Sequence, residues 1–133
     1  MSKKVAEQLV DIILAAGIKR IYAITGDSLN ELNDAVRRNP ELKWIHVRNE
    51  EAGAFAASAD AQLTGLACCA GSSGPGHVHL VNGLYDAHRS GAPVFAIASL
   101  AVSNTGSPRC FSPPRPGVTP PISWVPYARH CSE

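Results

Sequence analysis

"KWIHVRNEEAGAFAASADAQLTGLACCAGSSGPG", Lys43 to Gly76, is the stretch whose reading decides the fold. "KWIHV" is a short strand, polar "RNEE" (Arg48–Glu51) follows it, and a smooth alanine-rich helix then runs to Gly65. "ACCAGS" (Ala67–Ser72) is a second strand, and "GSSGPG" (Gly71–Gly76) turns from it into another helix. At 100° per residue, Glu50 shares a helix side with Ala54, Ala57 and Ala61, whereas Glu51 shares one with Phe55, Ser58 and Gln62. A face of alanines admits a flat ligand or another backbone, and Glu50 stands at its head. Acidic residues also complement the dipole at the start of any helix. Both readings of Glu50 stand on pattern alone.

The same alternation extends outward. Upstream, Val5, Leu9, Ile12, Ile13 and Ala16 recur at helical spacing until Gly17. "RIYAIT" (Arg20–Thr25) is a strand, and "GDSLNELNDAVRR" is helical with Leu29, Leu32 and Val36 on one face. Downstream, "GPGHVHLVNGLYDAHRS" is a helix and "PVFAIAS" (Pro93–Ser99) a strand whose apolar run predicts burial on both faces. Strand alternating with helix predicts an α/β fold, a doubly wound parallel sheet with right-handed crossovers. Residues 1–100 carry this pattern. From Ala101 to Glu133 it stops: Pro108, Pro113, Pro114, Pro116, Pro120, Pro121 and Pro126 each remove a backbone donor, and the segment reads as an irregular tail.

Bulk properties exclude several functions. A chain of 133 residues is at most one domain. Its net charge of +1 leaves no electrostatic footprint for nucleic acid or an anionic membrane. Glu7 and Asp11 interrupt the first apolar stretch, which reads as an amphipathic helix rather than a signal peptide. Cys68 and Cys69 are adjacent in a strand and point to opposite faces, while Cys110 and Cys131 have no metal spacing. Buried free thiols in a reducing cytoplasm are the expectation.

Three polar or glycine-rich stretches follow three strands: "TGDS" (Thr25–Ser28), "RNEE" and "GSSGPG". All lie beyond the carboxyl ends of parallel strands, where open α/β sheets bind ligands. "GSSGPG" is neither a dinucleotide fingerprint, nor a phosphate loop, since it lacks the lysine, nor a nucleophile elbow. It is a tight turn with Pro75 near the first helical position, able to bring backbone amides to a ligand or to do nothing more. Asp27 or Ser28 could cap the following helix. His77 and His79 stand two apart, so their side chains diverge and no metal site is expected. Asp86, His88 and Arg89 read as a solvated face.

Taken together, "ITGDSLNELNDAV", "VRNEEAGAFAASADAQLTG" and "GSSGPGHVHLVNGLYDAHRSGAPVFAIAS" resemble the N-terminal, pyrimidine-binding domain of thiamine-diphosphate enzymes, from about Val5 to Ser99. "TGDSLN" and "NGLYDAHR" are most similar to the pyruvate oxidase and quinone-dependent pyruvate dehydrogenase branch; the glutamate and the "GPG" turn are shared with acetolactate synthases and decarboxylases. The resemblance implies that Glu50 is the catalytic, activating glutamate. It would hydrogen-bond N1′ of the cofactor's aminopyrimidine and favour the imino tautomer that removes the thiazolium C2 proton. It implies cofactor contacts from Gly26, Asp27, Glu50, Gly74, Pro75 and Gly76, and a dimer contact at the alanine face behind Glu50.

Two departures stand against the family pattern. Asn49 replaces the histidine that many relatives carry before the glutamate. The second thiamine domain, which holds the diphosphate and Mg, is absent from these residues, as are the FAD-carrying middle domain and the membrane-binding C-terminal segment. The resemblance fades at about Leu100, as a shifted reading frame would make it do. The leading expectation is therefore an N-terminal fragment of a pyruvate-oxidising enzyme, inactive alone, exposing an open sheet edge and an alanine face and pairing with itself or with a full-length relative. A non-catalytic dimerisation partner, an acetolactate-synthase-like fragment and a free-standing flavodoxin-like binding domain are the alternatives.

Overall fold

In the computed structural model, which describes residues 3–99, helix and strand alternate as the apolar spacing demands. The order is α1 (Val5–Ala15), β1 (Arg20–Ala23), a 3₁₀ turn (Asp27–Leu29), α2 (Asn30–Arg37), β2 (Lys43–His46), α3 (Glu50–Thr64), β3 (Ala67–Gly71), α4 (Pro75–Arg89) and β4 (Val94–Ala98). The proline-rich tail, Cys110 and Cys131 lie outside the described residues. Four parallel strands form one sheet in the order β2-β1-β3-β4. The chain steps from β1 out to β2, then returns across β1 to β3. The loops leaving β1 and β3 thus part to opposite faces, making a switch point at their carboxyl ends.

Side-chain alternation distributes the strands between two cores. Ile21, Ala23, Cys68 and Ala70 pack with Val10 and Ile13 of α1 and with Leu32, Ala35 and Val36 of α2. Ala67 and Cys69 point the other way, to Ala54, Ala57 and Ala61 of α3 and Leu80 and Ala87 of α4. The two adjacent cysteines face opposite layers, both buried and free. Burial pushes the Cys69 thiol up to about 12 and raises Cys68 as well, so both stay protonated and inert.

Two expectations are corrected here. The apolar run of β4 does not bury both faces: Phe95 is 42% exposed and Ala98 is exposed. Among the described residues β4 is the last strand and pairs only with β3. The fully buried strand is β3, one of the two inner strands. Nor does the alanine face of α3 await a partner, since Ala54, Ala57 and Ala61 are at most 1% exposed inside the chain's own core. Their small size lets α3 lie close to both the sheet and α4. A methyl group on Gly83 of α4 would stand only 2.4 Å from Ala54 Cβ and 2.8 Å from the Phe55 nitrogen, so the two helices touch almost backbone to backbone.

One polar brace joins α3 to the sheet. Arg20 on β1 donates to both carboxylate oxygens of Asp60, at 3.0 and 2.6 Å, and the Tyr22 hydroxyl donates to one of them at 3.2 Å. Asp60 is 8% exposed and its charge is met by this fork of donors. An apolar groove of about 240 Å³, lined by Ile12, Ile18, Leu66, Val94 and Phe95, lies at the amino ends of the strands, away from the switch point. No helix among the described residues is long and apolar enough to cross a membrane.

Candidate functional site

At the carboxyl edge of the sheet, β2 gives way to Asn49, which caps α3. Its backbone is extended and its side-chain oxygen accepts the Glu51 N–H at 2.7 Å. Capping places the paired glutamates in the first turn, and their side chains then part. Glu50 Oε2 lies 3.0 Å from Nδ1 of His79 on α4, whereas Glu51 Oε1 accepts from the Asn82 amide at 3.1 Å, one turn further on. The Glu50 side chain is only 12% exposed. Its other oxygen, Oε1, faces the backbone of Gly76, where a methyl group would come within 3.2 Å of it. Thus Glu50 is enclosed, one oxygen held and the other looking onto a bare glycine.

The "GSSGPG" turn makes that approach sterically open. Gly74 takes φ +77°, a backbone state that L side chains rarely adopt, and Pro75 opens α4 at its first turn. Gly76 follows, buried and without a side chain to cover Glu50. Gly26 lies against the same turn: a methyl group there would be 2.5 Å from Ser72 Oγ. Asp27 opens the 3₁₀ turn with an exposed side chain.

Neither Asp27 nor Ser28 caps that turn, contrary to the expectation from "GDS". Ser28 is occupied across the sheet instead. Its Oγ accepts the Ser73 N–H at 3.0 Å and lies 3.0 Å from Ser72 Oγ and 2.7 Å from Ser99 Oγ. Ser99 donates to the Gly71 carbonyl at 3.2 Å, which can only accept. Ser28 must then donate to Ser99 and accept from Ser72, so every hydroxyl has a direction. This clasp ties together the loops after β1, β3 and β4.

The structure therefore brings Glu50 to Gly76 and Gly26 to the turn, with Asp27 exposed at the rim. Sequence reasoning missed His79 as a partner of Glu50 and Ser28, Ser72 and Ser99 as a clasp. The spacing of His77 and His79 speaks only to metal binding, and no local pattern pairs α4 with the glutamates; His79 and its i+3 neighbour Asn82 reach them only in the folded chain. Asp86, His88 and Arg89 are exposed, as a solvated face requires, and Asp86 also accepts a hydrogen bond from buried Ser58 at 3.3 Å. Among the described residues no group of three His, Cys, Asp or Glu could hold a metal ion.

The family model for the thiamine pyrophosphate enzyme N-terminal TPP binding domain matches residues 3–107. The chain is 58% identical over 97 residues to a 42.6 kDa protein in the isoamylase 3′ region of Pseudomonas amyloderamosa, covering 72% of this chain and 24% of that protein. It is 48% identical over 102 residues to a putative thiamine pyrophosphate-containing protein of Bacillus subtilis, covering 74% and 18%. It is 45% identical over 91 residues to pyruvate oxidase of Lactiplantibacillus plantarum, covering 67% and 15%. The chain thus spans less than a quarter of the length of these relatives.

Proposed function

The chain belongs to the thiamine pyrophosphate enzymes, as their N-terminal TPP binding domain, and from that premise we propose that it serves a pyruvate-oxidising enzyme in which Glu50 meets the cofactor's aminopyrimidine. The observation that carries this reading is the enclosed Glu50 carboxyl, with Oε1 facing a glycine where any side chain would intrude. A ring nitrogen needs one carboxyl oxygen free of other partners, and among the described residues only Oε2 is engaged, by His79. When bound, the cofactor supplies the carbanion chemistry of pyruvate decarboxylation; the chain holds and orients a proton at Glu50. Gly26, Asp27, Gly74, Pro75 and Gly76 shape the ring's surroundings, and the serine clasp keeps their loops in register.

The enclosed Glu50 carboxyl beside the glycine turn supports a place for the pyrimidine end of the cofactor. Mg, the diphosphate and FAD would be held by other parts of the working enzyme, on which turnover depends. Similarity to pyruvate oxidase supports the oxidoreductase and flavoprotein assignment. Exposed Phe55, Val78, Val81 and Tyr85 on α3 and α4 support assembly into an oligomer, in place of the buried alanines. The free buried thiols Cys68 and Cys69 support a reducing, cytoplasmic setting.

Grafting the matched segment into Lactiplantibacillus plantarum pyruvate oxidase, in place of the corresponding segment, tests the reading. The graft is expected to oxidise pyruvate, and Glu50→Gln to lower turnover by roughly 10²–10⁴-fold, the usual contribution of a positioned acid–base group. Glu50→Gln at full turnover would refute it.

A further inference from the structure

His79 and Glu50 lie 29 positions apart in sequence, yet their side chains meet at 3.0 Å across the α3–α4 seam. An imidazole nitrogen at that distance is either a donor to the carboxyl or an acceptor of its proton, and the two cases put the carboxyl proton on different oxygens. If Nδ1 carries hydrogen, it occupies Oε2, and any proton on Glu50 must sit on Oε1, the oxygen facing Gly76. If Nδ1 is bare, a protonated Glu50 would turn its hydrogen away from Gly76 toward His79. Only the first case leaves the hydrogen on the oxygen that His79 does not hold. The surroundings allow it. Glu50 is enclosed and His79 half exposed, so Nε2 can serve as the ring's water-facing acceptor. Asn82, one turn along α4, likewise donates to the neighbouring Glu51.

Resting on the reading of Glu50 given above, we propose that His79 is a positioning residue: its Nδ1–H holds Oε2 and thereby confines the Glu50 proton to Oε1. A histidine acting this way is replaceable by a residue whose donor occupies the same place. Asparagine qualifies, because its Nδ2 is bonded to Cγ as Nδ1 is in histidine. Glutamine, one bond longer, does not, and leucine offers no donor.

Two readouts test this. In the full 133-residue chain, long-range ¹⁵N–¹H NMR of the His79 ring is expected to show a protonated Nδ1. The ¹³C signal of the Glu50 carboxyl should shift in His79→Leu and stay near its original position in His79→Asn. In the grafted enzyme, His79→Leu and His79→Gln should lower turnover about tenfold, the weight of one hydrogen bond to a charged group, with His79→Asn within about twofold of the parent. An unprotonated Nδ1, a His79→Leu graft as active as its parent, or equal losses in the leucine and asparagine variants would each overturn the positioning role. Such results would leave Glu50 itself intact so long as Glu50→Gln abolishes turnover; if that substitution is harmless, the underlying reading fails instead.

Discussion

Glu50 and Glu51 carry the same chemistry one peptide apart, and geometry alone separates them. Helical periodicity made half of this visible: it put Glu50 at the head of the alanine side and Glu51 beside Phe55 and Gln62. What it could not supply was the occupant opposite, because His79 and Gly76 arrive from another helix and no local pattern encodes that contact. Gly76 makes the sharper prediction at this scale. A methyl group there would press on Oε1 at 3.2 Å, a distance at which the carboxylate must give way. Gly76→Ala should therefore lower turnover of the grafted enzyme at least tenfold, since small displacements of a reacting group are costly. Its melting temperature should change little, because a flexible side chain can move aside. Parallel loss of melting temperature and turnover would show a folding defect instead.

Among the elements, α3 and α4 depend on closeness rather than on large side chains. Alanines at 54, 57 and 61 are legible as a smooth face, but not the surface they meet. Small residues permit close approach without saying to what, and here the neighbours are the chain's own sheet and helix. Gly83→Ala would force a methyl group into Ala54 and the backbone at Phe55, neither of which can retreat. The expected loss is ~2–3 kcal/mol of unfolding free energy, from overpacking of a seam already in contact. Urea titration would measure it. The brace between α3 and β1 gives a second prediction at this scale. Asp60→Asn leaves Arg20 without its carboxylate and should cost ~1–2 kcal/mol at neutral pH, a figure reduced by screening because the Arg20 side chain is 40% exposed.

Across the described residues, element type was readable almost throughout, while strand order and edge position were not, since these depend on pairings far apart in sequence. β4 looks as apolar as a central strand and, among the described residues, stands at an edge. The pH response also belongs to this scale. The Arg20 hydrogen bond, and then its charge, hold the Asp60 carboxyl below the ordinary value of 3.8, so the folded chain binds that proton less readily than the unfolded one. The brace's contribution is complete above pH ~4 and is lost as pH falls through the lower folded-state value. Glu7 and Asp34 are lowered in the same direction, by hydrogen bonds to the Lys4 backbone and to Arg37 respectively, and add to the acid sensitivity. Melting temperatures followed from pH 6 to pH 2 should fall more steeply in the parent chain than in Asp60→Asn. Parallel curves would show that the brace does not stabilise through its charge.

The central claim is that Glu50, and not its neighbour, activates the cofactor. Its most direct measure is the rate at which the C2 hydrogen of bound thiamine diphosphate exchanges with deuterium in the grafted enzyme, because this reads activation before any substrate arrives. The account predicts that Glu50→Gln slows exchange by roughly 10²-fold or more, while Glu51→Gln stays within about threefold of the parent. Equal rates in the two variants would contradict it.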